Sequence, residues 1–256
     1  MKKWIVLAAA VLLTGCAAQP AGENGVPNTQ VDSESRQRAR AFTDLAHAYL
    51  LRGQYKIALD ELRKAITADS RFGPAYDVYG LIYMELAEDR LAEENFRRAI
   101  ELDRSDSEAR NNYGWFLCTR GRHDDGLEQF SHALRNPLYA QPELAMANAG
   151  LCAERKGDLA LAEANLVKSL KLQPDNPNTV IKLAGLYFRQ GKLAETQRLL
   201  SRHAELAPPT AESLWLGVRL ERKLGDRMQE AAYGLQLRKL FPGSEEEQRL
   251  RAGQFE

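Results

Sequence analysis

Three cysteines and four histidines carry most of the reactive chemistry among the 256 residues of this chain. A thiol can ligate a metal, attack as thiolate, close a disulfide or accept a lipid, and its surroundings decide which. His47, His123, His132 and His203 are scattered, and three cysteines with four histidines leave little room for a metal centre. The chain has no phosphate-cradling loop, dinucleotide turn, HExxH or CxxC, and no serine in a nucleophile-elbow setting. The expectation is therefore no catalytic residue, no metal, no small-molecule substrate and no cofactor: the chain is expected not to be an enzyme. Lys and Arg total 35 against 35 Asp and Glu, a balance that argues against a nucleic-acid binder.

Cys16 has a specific setting. A basic start, Met1-Lys2-Lys3-Trp4, leads into a continuous apolar run of nine residues, Ile5 to Leu13. That run is too short to cross a hydrocarbon core of ~30 Å, which needs ~20 helical residues. It has the layout of a secretory signal. Leu13-Thr14-Gly15-Cys16 resembles the bacterial lipobox, in which the thiol receives diacylglycerol before cleavage and the new amine is then acylated. Residues 1–15 are read as the signal and Cys16 as the lipidated first residue of the mature chain. Several acyl chains give durable anchoring, where one is marginal. Ala17 follows, not Asp, so the sorting rule of such lipoproteins implies the outer membrane, facing the periplasm. Residues 16–38 read as lipidated Cys and flexible tether: Pro20, Gly22, Gly25 and Pro27 interrupt a stretch too poor in large apolar groups to bury a core.

The rest of the chain is periodic. Glycines at 53, 121, 157, 191 and 225 are separated by 68, 36, 34 and 34 residues, with Ala87 standing where one more would fall. Thirty-four residues is the length of a tetratricopeptide (TPR) repeat. Six repeats follow in phase: 39–72, 73–106, 107–142, 143–176, 177–210 and 211–244, the third two residues long and the sixth partly one residue out of step. Residues 245–256 remain as a C-terminal tail, whose Glu245-Glu246-Glu247 reads as solvated surface. Small residues at positions 8, 20 and 27 let two antiparallel helices, A and B, approach, and large ones at 4, 7, 11 and 24 fill the seam. Pro74, Pro142 and Pro177 suit first turns, and Asn176 and Thr210 suit caps. The predicted fold is all-α, a right-handed TPR solenoid with one continuous core.

This frame places the remaining reactive groups. Cys118 and Cys152 fall on A helices of adjacent repeats, which run side by side. In an oxidising compartment that placement favours a disulfide, the other reading being two separately buried thiols. His123 falls in an A–B turn and reads as solvated, whereas His203 occupies the packing slot at position 27. A TPR superhelix presents A-helix positions 2, 5, 9 and 12 on its concave face. Here that face includes His47, Leu50, Asp77, Leu81, Met84, Asn111, Trp115, Leu151, Ile181 and Phe188. The row is mixed, with an apolar share, and lacks the basic set of carboxylate-clamping TPRs. The expected ligand is an extended or amphipathic apolar segment, anchored by Leu50, Leu81, Met84 and Trp115. Trp115 equally suits a purely structural role between A helices.

Three strings go beyond generic TPR: Asn111-Asn112-Tyr113-Gly114-Trp115-Phe116-Leu117-Cys118, the Asn136-Pro137-Leu138-Tyr139 insertion, and Tyr233-Gly234-Leu235-Gln236-Leu237-Arg238-Lys239-Leu240-Phe241-Pro242-Gly243-Ser244. With the lipobox and six repeats they resemble the PilF/PilW family of type IV pilus biogenesis TPR lipoproteins. The resemblance implies a pilotin: a carrier that binds the pilus secretin subunit and promotes its outer-membrane localisation and ring assembly. Some members of the family act on pilus stability instead. A TPR lipoprotein adaptor for peptidoglycan enzymes or for outer-membrane barrel assembly is the alternative of a different class.

Overall fold

The computed structural model describes residues 33–255, so the signal, Cys16 and the tether up to residue 32 lie outside the described residues. Every regular element described is helical. The A helices are α1 (Glu34–Leu50), α3 (Gly73–Glu85), α5 (Ser107–Thr119), α7 (Pro142–Lys156), α9 (Pro177–Arg189) and α11 (Ala211–Leu224). The B helices are α2 (Tyr55–Ala68), α4 (Asp89–Leu102), α6 (His123–Leu134), α8 (Leu159–Leu172), α10 (Leu193–Leu206) and α12 (Arg227–Leu240), and α13 (Glu245–Ala252) ends the chain. None of these helices is long and apolar enough to cross a membrane. Each A helix packs on its own B helix and on the A helix of the next repeat. The fold is the TPR solenoid, in which each unit touches only its neighbours.

The local signals act as their chemistry dictates. Pro74, Pro142 and Pro177 stand in the first turns of α3, α7 and α9. Asn176 accepts from the Thr179 N–H, and Thr210 forms a reciprocal capping box with Ser213. At the A–B turns Gly53, Gly121, Gly157, Gly191 and Gly225 all take positive φ, and Ala87 adopts the same left-handed conformation at φ 57°. Position 24 supplies the deep core: Leu62, Phe96, Phe130 and Leu166 are fully buried. The close approach of the helices is visible at Gly126, where a Cβ would lie 2.7 Å from the Gly114 carbonyl oxygen. Only a hydrogen fits there.

The structure moves two boundaries. Helix α1 begins at Glu34, so residues 34–38 are the first turns of the solenoid rather than tether; Arg36 lies 5.5 Å from the centre of the Phe72 ring and pairs with Asp69 at 3.8 Å. The C-terminal tail is also structured. Ser244 caps α13, which packs on α11 and α12 where a further A helix would stand. Leu250 and Phe255 join Leu214, Trp215 and Leu237 in one apolar cluster. Glu247 is fully buried, accepting from the Gly243 N–H at 3.2 Å and pairing with Arg251, so it is not the solvated residue its acidic run suggests. A solenoid end exposes an apolar face that must be covered, and α13 covers it.

Candidate functional site

The concave face is built by the A helices. His47 on α1 is exposed. Leu50 is half-buried against the core of the first two repeats, and Leu81 and Met84 on α3 are half-buried against a cluster of Phe96, Tyr113, Phe116 and Leu117. Trp115 on α5 is half-buried over Cys118, Phe130, Ala149 and Cys152, with the Arg155 guanidinium 4.9 Å from its ring centre. Both readings of Trp115 thus find a partial basis: it packs between helices and still shows one edge to the groove. Beneath it Cys118 and Cys152 are joined in a disulfide, with Cα atoms 5.7 Å apart.

Of the C-terminal half of the expected row, Leu151 stays half-buried at the surface, but Ile181 and Phe188 are not available. Ile181 and Phe188 are 3% and 2% exposed. Leu216 and Leu220 of the next A helix pack on them, and Arg219 and Lys223 lie over the Phe188 ring at 4.6 and 4.7 Å. Asp77 and Asn111 are buried too, at 6% and 3%. They belong to a polar ladder across three A helices. Asn112 Nδ2 donates to Asp77 Oδ2 (2.8 Å), Asn111 Nδ2 to Asn112 Oδ1 (3.4 Å) and Asn148 Nδ2 to Asn111 Oδ1 (3.0 Å). Burial pushes the Asp77 carboxyl up to about 8; Asp106 and Glu108 push the same way, and the Asn112 hydrogen bond opposes them. The groove floor is thus amide-lined, with apolar groups standing beside it in the N-terminal half.

Two of the concavities on the surface bear on binding. One of about 400 Å³ lies on the concave side and is lined by Trp115, Leu151, Glu154, Arg155, Lys182, Gly185, Arg189 and Glu212. Its carboxylates are matched: Lys182 Nζ donates to both Glu212 oxygens at 2.8 Å, and Arg189 pairs with Glu154. The other, of about 760 Å³, opens beside α1 and α2, where Phe42 and Ile57 are framed by Arg38, Asp60, Arg63 and Lys64. Sequence reasoning missed this one, because Phe42 stands at a filler position; the signal is that, among the described residues, the first repeat has a neighbour on one side only. Of the histidines, His203 is buried, and burial holds its pKa below the usual imidazole value. His123 is half-buried as the first residue of α6, packed into the stack rather than solvated in a turn. Among the described residues no three His, Cys, Asp or Glu side chains gather as metal ligands.

The class this geometry defines is a TPR protein: tetratricopeptide repeat models match residues 39–72, 73–106 and 154–216. The chain is 31% identical over 249 residues to the type IV pilus assembly protein PilF of Pseudomonas aeruginosa, covering 97% of each chain. The solved structure of Pseudomonas aeruginosa PilF superposes with a TM-score of 0.75 at 30% identity, covering 86% of this chain and 99% of that one. That of PilW, described as a widely conserved type IV pilus biogenesis factor, gives 0.76 at 33% identity, covering 84% and 99%. The chain belongs to the PilF/PilW family of type IV pilus biogenesis TPR proteins.

Proposed function

We propose that this protein is a lipid-anchored scaffold on the periplasmic face of the outer membrane, without enzymatic activity, that binds the pilus secretin subunit and promotes its outer-membrane localisation and multimerisation. The observation that carries the reading is the similarity to PilF along 97% of both chains. Met1 to Cys16 supports the anchor through its lipobox pattern. A lipid tether raises the effective concentration of the solenoid at the membrane, where a secretin subunit with unsatisfied apolar surface must arrive. Leu50, Leu81, Met84 and Trp115 supply apolar anchors, and Phe42 and Ile57 offer a second apolar surface at the open end of the first repeat.

Affinity purification of the acylated protein from envelope extract tests the reading. The secretin should co-purify. Leu81→Ala with Met84→Ala shortens two groove anchors without burying a charge, and should weaken capture by about tenfold or more while helical content is retained. Ile57→Glu, at an exposed position, separates the open end of the first repeat from the concave row. Recovery of peptidoglycan enzymes or barrel-assembly proteins in place of the secretin contradicts the proposal. For the anchor, Cys16→Ser should leave the protein unprocessed or misplaced; normal outer-membrane fractionation of that variant contradicts it.

A further inference from the structure

On the outer helices several cations are matched to a carboxylate about one turn away, as in Arg90 with Glu94, Arg97 with Glu93 and Arg227 with Glu230. A row on the C-terminal half of the concave side is arranged differently. Arg155, Arg189 and Lys223 occupy the same repeat position, 13, in three consecutive A helices, 34 residues apart each time. Arg155 lies over Trp115, and Lys223, with Arg219 one turn before it, lies over Phe188. Among the described residues none of Arg155, Arg219 and Lys223 has a carboxylate partner. In this row only Arg189 has one, Glu154. An aromatic face holds a cation in place but neutralises none of its charge. The row is thus positive and pre-positioned, beside a concavity whose own two carboxylates are already paired.

The spacing selects a ligand. Packed helices stand about 8–10 Å apart, which is the span of roughly three residues of extended chain at about 3.3 Å each. Consecutive position-13 cations therefore meet every third residue of a peptide laid along the groove, across the helices. We propose that Arg155, Arg219 and Lys223, flanking the Glu154-paired Arg189, form a binding site for an extended peptide segment that carries carboxylates at multiples of about three residues. Trp115 and Leu151 offer apolar contact to the residues between them. Arg219 fits the same role: it is half-buried, near Arg189 and Arg249, and among the described residues its only close acceptor is the Phe255 carbonyl at 3.1 Å. A bound carboxylate relieves that crowding of like charge. The inference goes beyond the secretin reading and does not depend on which protein supplies the segment.

Fluorescence anisotropy on the full chain in detergent micelles tests it. The probe is a fluorescein-labelled peptide amide, Gly-Glu-Ala-Ser-Glu-Ala-Ser-Glu-Gly, against its counterpart with Gln for every Glu. The acidic peptide should bind at least about tenfold more tightly, with a steep salt dependence. Arg155→Gln and Lys223→Gln should each weaken it severalfold, Arg155→Lys should retain most of the affinity, and Arg98→Gln on α4 should change nothing. The free-acid peptide separates side-chain from C-terminal carboxylates: a gain there adds the terminus as a source of the same recognition. Equal binding of the Gln peptide overturns the proposal. So does wild-type affinity in both Gln variants, or displacement of the peptide by glycerol phosphate at concentrations where acetate is inert, which marks a lipid-headgroup site instead. Should a variant unfold, the two-peptide comparison on the wild-type chain still decides.

Discussion

The Cys118–Cys152 bond ties α5 to α7 directly beneath the Trp115 indole, at a Cα separation of 5.7 Å. It closes a loop spanning one repeat, and in the chain-entropy account such a loop contributes about 3–4 kcal/mol. Protein purified without reductant should yield a peptide linking the two cysteines. Cys152→Ser should lower unfolding stability by roughly that amount and leave partner capture intact in the folded fraction. Two freely alkylated thiols in native protein contradict the bridge.

The Gly114–Gly126 contact makes a sharper steric prediction. A methyl group at Gly126 meets a backbone oxygen at 2.7 Å, which no rotamer change relieves. Gly126→Ala should cost about 1–3 kcal/mol by overpacking. Gly185→Ala, where nothing lies within 4 Å, should be neutral or gain up to about 1 kcal/mol from helix propensity. Denaturant titration of the two variants side by side checks the contrast, and equal effects contradict it.

Ala87 carries a backbone conformation that its counterparts meet with glycine. An L-residue in the left-handed region costs about 1–2 kcal/mol. Ala87→Gly should therefore raise the melting temperature although it removes a methyl group, and a lowered melting temperature contradicts the argument.

Asp77 ties stability to pH. Its folded-state pKa of about 8 lies above the ordinary carboxyl value of 3.8 that the unfolded chain approaches. Between those values the folded state holds more protons than the unfolded one. Stability from this group is thus full at the acid end and falls as pH rises through the window, by at most about 1.4 kcal/mol per pH unit. Asp77→Asn keeps an oxygen for Asn112 and removes the titration. Its stability advantage over wild type should widen from pH 5 to pH 8 and then level off. A pH-independent difference contradicts this.

The 34-residue spacing made the solenoid legible, because the turn glycines and the position-24 core residues are local requirements of every repeat. The Cys118–Cys152 pairing was legible for a related reason: positions 12 and 10 of adjacent A helices lie side by side. What stayed hidden depends on contacts between repeats. Phe188 reads as a groove residue until Arg219 and Lys223, a repeat later, are seen to cover it. Glu245-Glu246-Glu247 looks solvated because Glu247, like Leu250 and Phe255 after it, gains its burial from packing against the last repeat. Asp77 gave no sign of its burial, since its ladder partners lie on α5 and α7.

The proposed secretin assembly is measured most directly by the yield of denaturant-resistant secretin multimers in the outer membrane. Cells lacking the protein should show secretin monomer without multimer. Wild-type chain should restore the multimer, and the Leu81→Ala, Met84→Ala variant should restore clearly less at equal expression. Normal multimer levels in cells that lack the protein and have also lost their pili would contradict the claim, and would place its action on the pilus fibre instead.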